Sequence, residues 1–542
     1  MNNSNINMRQ IKSIATSTFL AVLISGCGST SPILSTPTEN IDSIPLKVIE
    51  LTETEKHNWG HLDLVKDTIP GMSVDKAYSE IIKKKKGTKI IVAVIDSGID
   101  VDHEDLKDII WVNKGEIAGN GKDDDNNGYV DDIHGWNFLG DAHNEQLEYV
   151  RILASGDTSN PDYVAAKAKY ESEYTTSVNQ KTQYDQIYQQ IKGADDALTK
   201  HFGKKDYTKK DVAGIKTIDT SVLQAQQIAN YMFSNGLDSM ADALTEIKEV
   251  IKHTNDRLNF NLNKDLKGRI TGDNPDDMST KFYGNGNVKP SKKTESHGTH
   301  VAGIIAAKRN NKKGANGVAN NVEIMSIRAV PNGDEYDKDI ALAIRYAVDN
   351  GAKVINGSFG KSFSTHSDWV REAIAYAGKN DVIFVHAAGN DSKDVDKNAN
   401  FPDDNVNGVE VSNSYIRVGA LAPKYGSGIV AGFSNYGKQN VDVFAPGASV
   451  YSTTPENEYQ TKGGTSMAAP AVAGVAALLR SQYPTLSAAQ VKQIIMDSGL
   501  SINTKVIVGG NTQDIRPFAD LCKSAKIANA YNALIMASKI AK

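Results

Sequence analysis

Cysteine is almost absent from this chain: Cys27 and Cys522 are the only two in 542 residues. At most one bridge could form, so no disulfide framework holds the fold. Basic runs are scarce as well. Sixty Lys and Arg face 65 Asp and Glu, giving a formal net charge of −5, which argues against nucleic acid as the main partner. The one lysine cluster, Lys83 to Lys86, is expected to form the basic last turn of a helix capped by Gly87. No internal repeat is present, and beyond residue 27 no segment is long and apolar enough to span a membrane.

The first 27 residues carry Arg9 and Lys12, then the short apolar core "IATSTFLAVLI", then "SGC". Charge, apolar core and small residues in that order are those of a secretory signal, too short to cross a bilayer as a helix. The ending "LISGC" resembles a bacterial lipoprotein signal. That resemblance implies that residues 1–26 are removed, that Cys27 is lipidated, and that the protein is exported to the cell envelope and anchored to a membrane. Residues 27–57, rich in Ser, Thr and Pro up to residue 45, then read as a flexible tether.

From residue 58 the pattern changes. "TKIIVAVID" (88–96) is a continuous apolar run of the kind buried on both faces of a parallel sheet. Similar runs recur at "NVEIMSIRAV", "AKVINGS", "DVIFVHAAGN" and "SYIRVGAL", with helical patterns such as "KDIALAIRYAVDNG" and "SDWVREAIAYAGKN" between them. Strand and helix in alternation predict an α/β fold with a mostly parallel central sheet and helices on both faces. Residues 141–285 differ: polar, rich in Gln, Lys and Tyr, and helical in spacing. Met240, Leu244, Ile247, Ile251 and Leu258 share one helical face, as do Tyr184, Ile187, Tyr188 and Ile191. A helical insertion therefore interrupts a domain formed by residues 58–140 and 286–542.

Serine nucleophiles need a base to take the hydroxyl proton, a carboxylate to orient that base, and donors for the developing oxyanion. In an open α/β sheet these groups belong at the carboxyl ends of strands and at the start of the helices that follow. Asp96 closes a predicted strand, and Gly98 permits a sharp exit from it. His297 opens the helix "HGTHVAGIIAAK". Ser466 opens another in "GGTSMAAPAVAGVAALL", with Pro470 expected in its first turn. The positive end of a helix would favour an oxyanion at Ser466 and disfavour imidazolium at His297.

"VIDSGID", "HGTHVAG" and "GTSMAAP", in that order, resemble the subtilisin family of serine proteases, as do "AAGN" (387–390), "VINGSFG" (354–360) and "FSNYGKQNVDVFAPG" (433–447). The matching segments span about 89–141 and 286–500. The resemblance implies a subtilisin-like fold and a peptide-hydrolysing enzyme, with Asp96 orienting, His297 as general acid and base, and Ser466 as nucleophile. Asn390 would donate its side-chain amide to the oxyanion. Ser358, Phe359 and Gly360 would pair with an extended peptide, and Ala387, Ala388 and Gly389 would wall the pocket before the cut bond. The alternative is a non-catalytic binding lipoprotein that keeps the fold, which the intact set of four residues argues against. A metal site of His297 and His300 is disfavoured: their spacing is three with no Glu between, against four in the helical zinc motif.

Two departures stand out. Asp96 and His297 are 201 positions apart (297 less 96) because the insertion lies between them, so it must leave and re-enter near the site and could gate it or select substrates. Only about 30 residues separate Cys27 from the expected folded start, so no large cleaved pro-domain is expected. Finally, "KDDDNNGYVDDIHGWNF" (122–138) places Asp123, Asp125, Asn127 and Asp131 at positions 1, 3, 5 and 9 of an EF-hand-like loop, with Gly128 at the sharp turn. His134 stands where the bidentate Glu belongs. The loop either binds a structural calcium or is a solvated acidic turn; "GDNPDD" (272–277) is a weaker candidate of the same kind. Protein or peptide substrates, no nucleic acid and a monomeric state complete the expectation.

Overall fold

The computed structural model describes Pro37, Lys47 and residues 50–541; Cys27, the signal-like stretch and most of the tether lie outside the described residues. The apolar runs form a nine-stranded sheet. Its order is Leu500–Ser501, Lys526–Ile527, Val443–Pro446, Tyr415–Leu421, Ile383–Ala387, Val354–Gly357, Ile90–Asp96, Val322–Arg328, Gly135–Asn137. Every neighbouring pair is parallel except the first.

Continuous apolar sequence follows from burial on both faces. Along Ile90–Asp96, Val92 and Val94 enter one core with the helices His297–Ala306 and Thr465–Gln482. Ala93 and Ile95 enter the other with the helices Asp337–Asp349 and Ser367–Lys379. The first of these layers approaches the sheet closely. Gly98, at φ +107°, turns the chain off the end of its strand, and a Cβ on Gly298 would stand 2.3 Å from the Gly98 carbonyl oxygen. Only glycine at both positions lets the start of the His297 helix sit against the end of the Asp96 strand.

The segment between the two halves is helical. Its main elements are Glu148–Ala154, Tyr163–Phe202, Thr220–Ser234 and Met240–Asp256. The 40-residue helix Tyr163–Phe202 carries partly exposed Lys-to-acid pairs four residues apart, Lys169–Glu173, Lys181–Asp185 and Lys192–Asp196. Ile191, Ala194 and Leu198 bury against Val222, Ala225, Ala229, Met240 and Ala243, with Leu244 and Ile247 packed beside them. The insertion therefore has a core of its own. Leu258 joins a second small cluster, with Tyr149, Val150 and Leu262, where the insertion meets the sheet domain.

Three local expectations are corrected. The folded part starts before residue 58: Thr52 caps the helix Glu53–Asn58 with a full capping box, and His57 stacks on Tyr451 with ring centroids 3.9 Å apart. Lys83 to Lys86 lie beyond their helix, which ends at Ile82; Lys83 itself takes the positive φ (52°), and Gly87 is instead needed where the chain passes against Ser481. Pro470 falls in the second turn of its helix, six residues into Thr465–Gln482, with a consequence for the site described next.

Candidate active site

The strand ending at Asp96 stops level with its neighbours on both sides. Asp96 is in register with Arg328 and Ile95 with Gly357, after which the chain turns away at Ser97 and Gly98. The segments that continue beyond Arg328 and beyond Gly357 lie on either side of the position a further strand would occupy, a candidate lane for an extended peptide. The carbonyl of Phe359 accepts from the buried His386 Nε2 at 2.8 Å. Since main-chain groups alternate along an extended segment, the carbonyls of Ser358 and Gly360 face the opposite side. The Ser358 carbonyl there accepts the Ser466 hydroxyl at 3.2 Å.

Beside the end of this strand two residues from distant parts of the chain meet, Asp96 and His297. Asp96 is buried, and its carboxylate oxygens lie 2.8 and 3.0 Å from His297 Nδ1, which fixes the tautomer and leaves Nε2 free for a proton. Burial is the largest single influence on His297 and lowers its pKa. The charge of Asp96 and its hydrogen bond outweigh burial, and the net pKa lies above the ordinary value. The helix end expected to disfavour imidazolium is therefore overridden by its carboxylate partner. Ser466 sits at the second residue of its helix, and its hydroxyl points to Ser358 rather than to the imidazole.

Asn390 is anchored through its oxygen: Oδ1 accepts from the Thr465 N–H at 2.8 Å and from the Thr465 hydroxyl at 3.1 Å. That leaves Nδ2 as the outward donor. A Cβ at Gly464 would stand 3.6 Å from both Asn390 Nδ2 and Ser466 N, so the two donors border one small space. Ala387 and Ala388 are buried, and Gly389, at φ +100°, donates its N–H to Thr465 Oγ1 at 3.0 Å. Pro470 cannot supply the helical N–H owed to the Ser466 carbonyl, and Ser358 Oγ donates to that carbonyl instead at 2.9 Å. Ser358 thus works through its side chain as well as its main chain.

His300 is separate from this group. It is buried, its Nε2 donates to the Gln460 carbonyl at 2.9 Å, and burial pulls its pKa down to about 3. It packs the helix against a neighbouring hairpin.

Several participants were not singled out by sequence reasoning. Thr465 orients Asn390, although it lies inside the quoted "GTSMAAP". Glu295, inside "ESHGTH", is buried and pulled in three directions: His143 Nδ1 at 2.5 Å, Arg328 Nη2 at 3.1 Å and Ser291 Oγ at 2.8 Å. Burial alone would raise its pKa, but these partners hold it down at about 2. The group ties the approach to His297 to the end of the Arg328 strand.

The acidic loop does not wrap as an EF-hand. Asp131 turns outward to accept the N–H groups of Gly119 and Gly121 at 2.8 and 2.9 Å, and Asn127 faces Asp132 and Tyr129. Glu116 stands in place of Asp131: Glu116, Asp123 and Asp125 bring carboxylate oxygens within 4.8 Å of one another, a hard-oxygen set suited to calcium. In "GDNPDD", Asp273 is already paired with Arg269 and Lys338, which removes it as a cation ligand.

An α/β sheet with an aspartate at a strand end and a histidine and a serine at two helix starts defines a subtilisin-like fold. A model of the Subtilase family matches residues 87–514, and the chain belongs to that family. It is 44% identical over 188 residues to the thermophilic serine proteinase of Bacillus sp. (strain AK1), covering 34% of this chain and 43% of that protein. Subtilisin DY of Bacillus licheniformis is 37% identical over 214 residues, covering 39% of this chain and 73% of the relative. For thermitase of Thermoactinomyces vulgaris the figures are 38% over 221 residues, 40% and 70%. The chain thus spans less than half the length of the first of these relatives.

Proposed function

We propose that this chain is an exported serine endopeptidase that cuts peptide bonds through an acyl-enzyme. The observation that carries the reading is the hold of Asp96 on His297 Nδ1, at 2.8 and 3.0 Å. A peptide in the lane displaces the Ser466 hydroxyl from the Ser358 carbonyl. His297 Nε2 then takes the hydroxyl proton as Ser466 Oγ attacks the scissile carbonyl. Asn390 Nδ2 and the Ser466 N–H at the helix start hold the oxyanion. His297 returns the proton to the leaving amine, and water, deprotonated by the same imidazole, releases the acyl group.

A serine-directed phosphonate should label the wild type and not Ser466→Ala. Absence of labelling and of peptide cleavage in the wild type would favour a binding protein that keeps the fold. Calcium at Glu116, Asp123 and Asp125 would be structural, neutralising three clustered carboxylates. A chelator should lower the thermal midpoint, and Asp123→Asn should abolish that response. Lipid attachment at Cys27 would hold the enzyme to a membrane of the cell envelope; among the described residues no helix is long and apolar enough to cross one. Incorporation of labelled fatty acid, lost in Cys27→Ser, tests it.

The insertion is proposed to shape the lane. Arg151 donates to the carbonyls of Asp334 and Glu335 at 2.8 and 3.0 Å, on the segment that continues from Arg328. Glu148, paired with Arg151, holds Lys361 Nζ at 3.1 Å and Thr365 Oγ1 at 2.5 Å, on the segment that carries Ser358 and Gly360. One helix of the insertion, Glu148–Ala154, therefore bridges the two segments that flank the proposed lane.

A further inference from the structure

Lys462 closes the strand Glu458–Lys462 and is followed by Gly463 and Gly464, the hinge into the Ser466 helix. Its ammonium donates a 2.7 Å hydrogen bond to Ser296 Oγ, on the residue before His297. The side chain is half-buried, and burial holds its pKa below the usual lysine value. Among the described residues no carboxylate lies within ion-pair distance of it. Its neighbours are not left so: Lys293 pairs with Glu456 and Glu458, and Lys289 with Asp102. A partly desolvated cation without a counter-charge costs stability, so its presence beside the candidate site needs another reason.

The position of Lys462 supplies one. Its strand forms a hairpin with Val450–Thr454 that is fastened along the His297 helix. Ser452 and Thr453 donate to the carbonyls of His300 and Thr299, each at 2.8 Å, and His300 Nε2 returns a bond to Gln460. In the proposed reaction the acyl half of a peptide lies along Ser358 to Gly360, whereas the leaving half departs past His297, which protonates it. Lys462 is fixed to the residue preceding His297, and so stands on the leaving side.

Resting on the endopeptidase reading, we infer that Lys462 is a specificity-determining residue that receives the carboxylate of an Asp or Glu in the first or second position after the scissile bond. The arriving carboxylate gives the ammonium the partner that the fold withholds. The ion pair is only half-sheltered, so the gain is modest, about five- to tenfold in kcat/KM, and falls as salt rises.

Internally quenched peptides carrying Glu, Gln or Lys at each of those two positions test this in the full-length protein. The wild type should cleave the Glu peptide about five to ten times faster than the Gln peptide at low salt, with the ratio approaching one at about 1 M salt. Lys462→Met should bring the Glu-to-Gln ratio to about one, and Lys462→Glu should reverse the order in favour of Lys. Phosphonate labelling of each variant separates loss of preference from loss of fold. A wild type that cleaves without an acidic preference, or a preference that survives in Lys462→Met, overturns the inference and leaves the endopeptidase reading standing. Failure of the wild type to cleave any peptide or to take the phosphonate removes both.

Discussion

The hydroxyl of Ser358 donates to the main-chain carbonyl of Ser466 across 108 positions of sequence, at 2.9 Å, where Pro470 has removed the helical donor. The same Ser358 offers its own carbonyl to the Ser466 hydroxyl, so the two residues are joined by a reciprocal pair of bonds. Ser358→Ala leaves a buried carbonyl unpaired and also strips Asn356 Nδ2 of its acceptor. The expected cost is about 1–3 kcal/mol. In a domain of this size that is a fall of about 1–4 °C in Tm, read by thermal unfolding in a Ser466→Ala background that prevents self-cleavage.

His297 must be neutral to act as a base. Asp96 raises its pKa above the ordinary 6.5, against burial and against the charge of Lys462, while the nearby His300 is neutral. The kcat/KM profile should therefore fall as pH drops, with its midpoint above 6.5. Removing the carboxylate leaves burial in control, so Asp96→Asn should move the midpoint below 6.5 and lower kcat by about 10⁴. A pH–rate profile of both proteins checks the direction, and an imidazole titration by NMR in Ser466→Ala checks the group.

Thr465 holds Asn390 by its oxygen and thereby aims its nitrogen. Asn390→Ala should lower kcat by about 10²–10³ with little change in KM, since the donor is needed only once the oxyanion forms. Thr465→Val keeps the main-chain N–H but not the hydroxyl, and a smaller loss of kcat is expected. Steady-state kinetics on one peptide amide distinguish the two.

Glu148 and Arg151 bridge the two segments that flank the proposed lane, so on that reading their effect should depend on substrate length. Glu148→Gln should raise KM about tenfold for peptides with four residues before the cut bond. An ester that fills only the position next to that bond should be hydrolysed with its KM unchanged. Equal losses on both substrates would indicate general destabilisation rather than positioning.

Much of the domain was legible because its signals are local. Continuous apolar runs marked the buried strands, the spacing of Ile187, Ile191, Leu244 and Ile247 marked the faces on which the insertion packs, and three short motifs marked Asp96, His297 and Ser466. Other assignments failed where the deciding contact is not local. Asp131 fits a ligand position by count, yet two glycine N–H groups ten and twelve residues upstream claim its carboxylate and Glu116 faces the cluster instead. Pro470 read as harmless by its distance from the helix start, and only the placement of Ser358 shows how its missing donor is replaced.

The sequence by itself determined the alternating strands and helices and the helical stretches between residues 148 and 261, and it marked Asp96 and His297, because hydrophobic period and turn chemistry act over a few residues. The tertiary structure alone decided which groups meet: Glu148 with Lys361 over 213 positions, Ser358 with Ser466, and Lys462 with Ser296 over 166. Hydrogen bonds and ion pairs act over about 3 Å of space, and no spacing along the chain encodes a distance that folding alone closes.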